Sequence, residues 1–276
     1  MSTLVWGAAT AHTGAMLRPL PGNENEEDRH RASRVFAGFS QLRASLQEAR
    51  PDVIVVIATD HFMTFDYAWL PIFAIGTGTR FEGWGEFGIP RRNYRGVGTF
   101  GVAVHYGMVG AGFDVLSARD MKLDHSFSCP LQLLLEGWDT PILPIYVNCT
   151  VDPLPTLARC HDFGAALGDV IRCQKAVDRV AIIGTGGLSH WVGMPRTGTI
   201  NRDFDREFLD LYAAGRAEEI SQWNCSAIVD SAGNGAAEIR TWIIAAAAAG
   251  ATGARVLAYE PVEAWLTGIG VAELVL

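Results

Sequence analysis

The run Pro51-Asp52-Val53-Ile54-Val55-Val56-Ile57-Ala58-Thr59-Asp60-His61 decides the fold. Its apolar centre, Val53 to Ala58, is of strand length, rich in β-branched residues and short for a helix. No polar residue alternates with the apolar ones, so both sides of the strand are covered, as in a largely parallel sheet. The run leads into Asp60-His61, and the carboxyl ends of such strands are where α/β proteins build ligand sites.

Leu4 to Ala9 is another strand-length run followed by a histidine, His12. Between the two, Arg31 to Ala49 carries Val35, Phe36, Phe39, Leu42 and Leu46 at helical spacing, which predicts an amphipathic crossover helix and a first βαβ unit. The alternation continues with a strand over Thr140 to Val147, a helix over Leu154 to Cys173 and a strand over Arg179 to Gly184. This order predicts an α/β protein with a central, mostly parallel sheet flanked by helices on both faces. A polar helix around Asn201 to Ala214, an Ala-rich helix from about Ala236 to Ala249, a strand at Ala254 to Tyr259 and a tail containing Trp265-Leu266-Thr267-Gly268 complete the chain. No linker, repeat or low-complexity tract interrupts it, so one domain over residues 1–276 is the simplest expectation. The Gly-rich segment from Gly76 to Gly101 reads as a long loop or a pair of short strands near the pocket, or as a surface excursion.

Composition narrows the function. With 49% hydrophobic and 19% charged residues the chain is expected to fold along most of its length. A formal charge of -8 disfavours a general nucleic-acid or anionic-membrane binder, and Glu82 and Glu86 interrupt the one arginine/aromatic segment. The first residues, Met1-Ser2-Thr3-Leu4-Val5-Trp6, have no basic leader, and the apolar stretch Trp242 to Ala249 is far short of the roughly 20 residues a membrane span needs. Five cysteines, an odd number with no C-x-x-C pair, argue for reduced thiols in a cytoplasmic protein.

Five segments place metal- or proton-handling residues at the ends of apolar runs. Two histidines and a carboxylate on one face of a metal leave positions open for substrate and dioxygen. His12 and His61 at neighbouring strand ends, with Glu238 from the first turn of the Ala-rich helix, supply that set. Each has an ordinary alternative: a hydrogen-bonded structural histidine, or a glutamate favoured by the helix dipole. Asp60 either orients His61 or starts a turn. His125, in Lys122-Leu123-Asp124-His125-Ser126 ahead of a helix start at Pro130 to Leu135, is by itself an ordinary loop histidine. His190 follows Gly184-Thr185-Gly186-Gly187-Leu188-Ser189, a turn whose small residues let a ligand approach the backbone. That turn matches neither the Walker pattern nor the dinucleotide fingerprint, and the chain has no Gly-x-Ser-x-Gly elbow or His-Glu-x-x-His helix. His30, His105 and His161 read as structural.

Taken in order, His12, Asp60-His61, Asp124-His125-Ser126, Gly184-Thr-Gly-Gly-Leu-Ser-His190, Gly233-Asn-Gly-Ala-Ala-Glu238 and the tail Tyr259-Glu-Pro-Val-Glu-Ala-Trp265-Leu-Thr-Gly268 resemble the catalytic subunits of class III extradiol ring-cleaving dioxygenases. The pattern is nearest to the protocatechuate 4,5-cleaving branch, covers nearly the whole chain and is most specific at the Gly-Thr-Gly-Gly-Leu-Ser-His segment. The resemblance implies Fe(II) held by His12, His61 and Glu238, with His190 as acid/base and His125 as a second catalytic pocket residue. It places Thr13, His125 and His190 against a catechol-type substrate, such as protocatechuate, gallate or a related aromatic acid, that reacts with O2 in aromatic catabolism. It further implies a homo-oligomer, with or without the small α-type subunit that covers the pocket in that branch. Arg18, Arg91, Arg92 and Arg95 are candidate anchors for a carboxylated substrate, or ordinary surface charge. Two other readings stay open: a metal-dependent hydrolase using the same ligands, and a non-catalytic scaffold of the same fold.

Overall fold

The computed structural model describes residues 1–18, 20 and 26–276. In chain order its strands and helices are β1 (Thr3–Thr10), α1 (Glu26–Ala49), β2 (Val53–Ala58), β3 (Phe73–Gly76), β4 (Arg80–Gly83), β5 (Arg92–Arg95), α2 (Gly98–Gly110), β6 (Val115–Ala118), β7 (Lys122–Leu123) and α3 (His125–Leu134). Then follow β8 (Ile142–Val147), α4 (Leu157–Arg172), β9 (Arg179–Thr185), α5 (Arg202–Ala213), α6 (Ala217–Ile220), α7 (Cys225–Ala232), α8 (Ile239–Ala249), β10 (Gly253–Val262) and β11 (Thr267–Val275).

The main sheet has the order β10-β11-β1-β9-β2-β8-β3-β6. Its centre, β1-β9-β2-β8, is parallel throughout. Antiparallel pairings occur where β11 joins β1 and β10 and where β3 joins β8. Strand β2 lies inside this parallel core and is buried at every position. Ile54, Val56 and Ala58 enter the core beneath α1 and α3, while Val53, Val55 and Ile57 enter the core beneath α2, α4 and α8. Successive side chains on a strand point to opposite faces, so an uninterrupted apolar run is what two covered faces require.

The Gly76–Gly101 segment runs from the last residue of β3 through β4 and β5 into the start of α2, and β4 pairs with β5 and β7 in a small three-stranded sheet. The tail, with no strand predicted beyond Tyr259, forms β11 and inserts between β10 and β1. Two other boundaries differ from expectation. Helix α3 begins at His125 itself, because the Asp124 side chain accepts from the Ser126 amide and caps it. Glu238 ends a short 3-10 turn, Asn234–Glu238, and α8 begins at the next residue. Among the described residues no helix is long and apolar enough to cross a membrane.

Candidate active site

The strand outlets of β1, β2 and β9 open on one side of the sheet, and the 3-10 turn before α8 closes over them. A cavity of about 440 Å³ there is lined by His12, His61, His125, His190 and Glu238, together with Thr13 and Glu86. All six site residues expected from sequence are therefore brought into one pocket.

Glu238 sits between the two strand-end histidines. Its Oε2 lies 3.7 Å from His12 Nε2, and its Oε1 lies 3.4 Å from His61 Nε2. The Gly187 amide donates to Oε2 at 2.8 Å, so the Gly-rich turn orients the carboxylate. Close approach explains the glycines: a Cβ on Gly186 would lie 2.6 Å from Glu238 Cβ. Nitrogens of His12, His61 and His125 also fall within 4.8 Å of one another, so His125 is near enough to share the centre.

Three of the four histidines are set by different hydrogen-bond partners. His61 donates its backbone N–H to Asp124 Oδ2 at 2.7 Å, and its Nδ1 is 2.8 Å from the same oxygen. Asp60 has another task. It accepts from the amides of Met63, Thr64 and Phe65 and so shapes the turn after β2. His125 is held by Glu86, whose Oε1 is 2.5 Å from the His125 amide nitrogen and 2.7 Å from Nδ1. His190 Nδ1 is 2.9 Å from the Leu188 carbonyl, which must accept, so Nδ1 carries the proton and Nε2 the lone pair. The His190 ring lies flat against Gly235, where a Cβ would come within 2.1 Å of Nε2.

The electrostatics suit a cation. Asp124 is fully buried and Glu238 nearly so, and no Lys or Arg is among the described lining residues. Burial opposes ionisation of both carboxylates, yet their histidine neighbours hold them well below the usual range. Burial pushes His12 down to about 3, keeping it neutral. Burial also works against a charged His61, but Asp124 and then Glu238 hold its pKa well above the ordinary value. His12 Nδ1 is buried with no hydrogen-bond partner. Neutral imidazoles around buried carboxylates are a donor set for a divalent metal, whose charge would replace the proton on His61.

Sequence reasoning missed two functional groups, Glu86 and Asp124. Asp124 lies within a segment already singled out, and its Asp-x-Ser cap spacing was the available signal. Glu86 has no local signal, because a loop 39 residues from His125 brings it in. The rest of the lining is mainly apolar: Phe87, Trp191, Val192, Trp265 and Leu266, with Thr197 and Thr267. Phe87 and Leu266 hold left-handed backbone, with φ of 52° and 61°. Of the arginines, Arg18 stacks on Phe87 at 5.2 Å, beside the pocket. Arg92 donates to the Leu135 and Trp138 carbonyls and Arg95 pairs with Asp139, and neither lines the pocket. Arg91 packs its Cγ near Gly85, also outside the lining.

The sequence model of the family described as the catalytic LigB subunit of aromatic ring-opening dioxygenase matches residues 7–270. A 2,3-dihydroxyphenylpropionate/2,3-dihydroxicinnamic acid 1,2-dioxygenase of a Rhodococcus species is 29% identical over 93% of this chain and 95% of its own length. The enzyme of the same name from Photorhabdus laumondii is 27% identical, with 94% of each chain covered. Uncharacterized protein JW3007 from Escherichia coli K12, known from a crystal structure, shares the fold, with a TM-score of 0.59 and 12% identity over 97% of this chain and 99% of its own.

Proposed function

The chain belongs to the family of catalytic LigB subunits of aromatic ring-opening dioxygenases and is an extradiol enzyme acting on a catechol ring; from that premise we propose that it works with Fe(II) held by His12, His61 and Glu238. The observation that carries the assignment is the convergence of both Nε2 atoms on the two oxygens of Glu238, at 3.7 and 3.4 Å. When bound, the iron supplies a chelating seat for the two catechol oxygens and the means to activate dioxygen.

The protein's own groups handle protons and position. His190 Nε2, with its lone pair free, takes a proton from a substrate hydroxyl as general base and returns it later as general acid. His125, whose Nδ1 donates to Glu86, turns Nε2 to the pocket, where it accepts from a substrate hydroxyl and, once it has taken that proton, donates to a developing oxyanion, a contact of the kind worth about 3 kcal/mol in other sites. Thr13 lines the same pocket. The substrate we propose is a catechol with a side chain next to its hydroxyls, as in the name of the relatives. That side chain would lie on the wall formed by Phe87, Trp191, Val192, Trp265 and Leu266.

Reconstitution with Fe(II) under anaerobic conditions, followed by catechols and air, tests the reading. A yellow ring-opened product with stoichiometric oxygen uptake is expected, with zinc inactive. Zinc-supported, oxygen-independent hydrolysis would point instead to the hydrolase reading. No turnover of any of a broad panel of catechols, alkylated, carboxylated and trihydroxylated, would favour a scaffold.

A further inference from the structure

The two most distinctive segments of the sequence, Gly184 to His190 and Tyr259 to Gly268, meet at a residue that belongs to neither. Asp205 lies in the first turns of α5 and is completely buried. Its Oδ1 accepts the Ser189 amide at 2.8 Å, and its Oδ2 accepts the Ser189 hydroxyl at 2.9 Å and the Tyr259 hydroxyl at 2.8 Å. A Cβ on Gly268 would lie 2.1 Å from Oδ2, so the tail strand passes directly over the carboxylate. Burial, the largest influence, pushes the Asp205 carboxyl up to about 6.

A buried carboxylate held by neutral donors alone is costly to keep and is rarely retained without a role. The surrounding bonds show what it fixes. Ser189 immediately precedes His190, the Leu188 amide donates to the Gly268 carbonyl at 3.0 Å, and the Gly268 amide donates to the Ser189 carbonyl at 3.3 Å. His190 Nδ1 donates to the Leu188 carbonyl of this same strip. The peptide strip that carries and orients the imidazole is thus clamped on one side by β11 and on the other by Asp205.

We propose that Asp205 is a positioning residue for His190: through Ser189 it sets where Nε2 points, and Tyr259 holds Asp205 in that pose. The proposal rests on the acid/base reading of His190. A displaced base loses rate while the metal and the substrate seat stay intact, because Asp205 touches neither.

The test measures kcat, KM for a cleaved catechol, iron content and thermal midpoint for Asp205→Asn, Ser189→Ala, Tyr259→Phe and His190→Ala. A drop in kcat of about 10- to 100-fold is expected for Asp205→Asn, with KM and iron content near wild type. Smaller drops are expected for Ser189→Ala and Tyr259→Phe, since each removes one bond. A folded Asp205→Asn with wild-type kcat overturns the proposal, as does a change in KM or midpoint alone. Should Asp205→Asn fail to fold, Ser189→Ala and Tyr259→Phe decide it, and wild-type kcat in both overturns it. His190→Ala separates the two levels: if it keeps full turnover, the acid/base reading itself fails, whatever Asp205 does.

Discussion

Asp124 grips His61 twice through one oxygen, at 2.7 Å to the backbone nitrogen and 2.8 Å to Nδ1, while its other oxygen caps α3 through the Ser126 amide at 2.9 Å. One buried carboxylate therefore fixes a candidate metal ligand and starts the helix that carries His125. Carboxylates in this position set the ring orientation and basicity of a ligand histidine.

Asp124→Asn should accordingly weaken ferrous-iron affinity by about 10- to 100-fold. It should also destabilise the fold by roughly 1–3 kcal/mol through a weakened cap and a strained buried pair. Metal titration and denaturant unfolding check the two effects separately. Unchanged iron affinity in a destabilised protein would reduce Asp124 to a helix cap.

Gly235→Ala tests the seat of His190. The added Cβ would sit 2.1 Å from Nε2, so the ring must swing away. Turnover should fall by about 100-fold, since a misplacement near 1 Å has that effect. Iron content should be retained, because no proposed ligand moves. Wild-type kcat would show that the ring position matters less than its contacts suggest.

The lining predicts a change of substrate preference. Leu266 is 48% exposed on the pocket wall, in left-handed backbone, and no Lys or Arg accompanies it among the described lining residues. Leu266→Arg should raise kcat/KM for catechols with a carboxylated side chain relative to neutral alkyl catechols by about 10-fold, the worth of one exposed to half-buried charge pair. A ratio that does not move would place the side chain elsewhere in the pocket.

Asp205 also makes a signed prediction for pH. Its folded-state pKa, about 6, lies above the ordinary 3.8, so between those values the folded protein binds more protons at this site than the unfolded chain. Its contribution to stability is greatest at low pH and declines as pH rises through 6. Asparagine does not titrate, so wild type should gain on Asp205→Asn by on the order of 1 kcal/mol from pH 7 to pH 5. Urea unfolding of both proteins at the two pH values measures the gap. A gap that is constant or of opposite sign would mean that Asp205 is ionised throughout.

The parts legible in the sequence are those governed by local patterns. β2 declares itself by six apolar residues with no polar interruption, and α1 by its helical stripe, although it begins at Glu26, before the stripe does. His12, His61, His125, His190 and Glu238 stand beside strand ends or glycine turns, so their gathering follows once the parallel order is known. What remained hidden depends on distant approach. β11 pairs with β1 from the far end of the chain, and its glycines, Gly268 and Gly270, dilute the strand signal while admitting Asp205 and Trp242. Glu86 reaches His125 from a loop whose glycines and aromatics say nothing of a histidine partner. Arg91, Arg92 and Arg95 share that segment and turn away from the pocket, which residue type cannot reveal.

Isotopically labelled dioxygen decides whether iron on His12, His61 and Glu238 opens the ring with oxygen. Fe(II)-loaded wild type given a catechol should yield a ring-opened product carrying both labelled atoms, apart from label exchanged with water, while Glu238→Ala should bind little iron and yield none. Product formed without dioxygen, or undiminished iron binding and turnover in Glu238→Ala, would contradict ring opening by that iron.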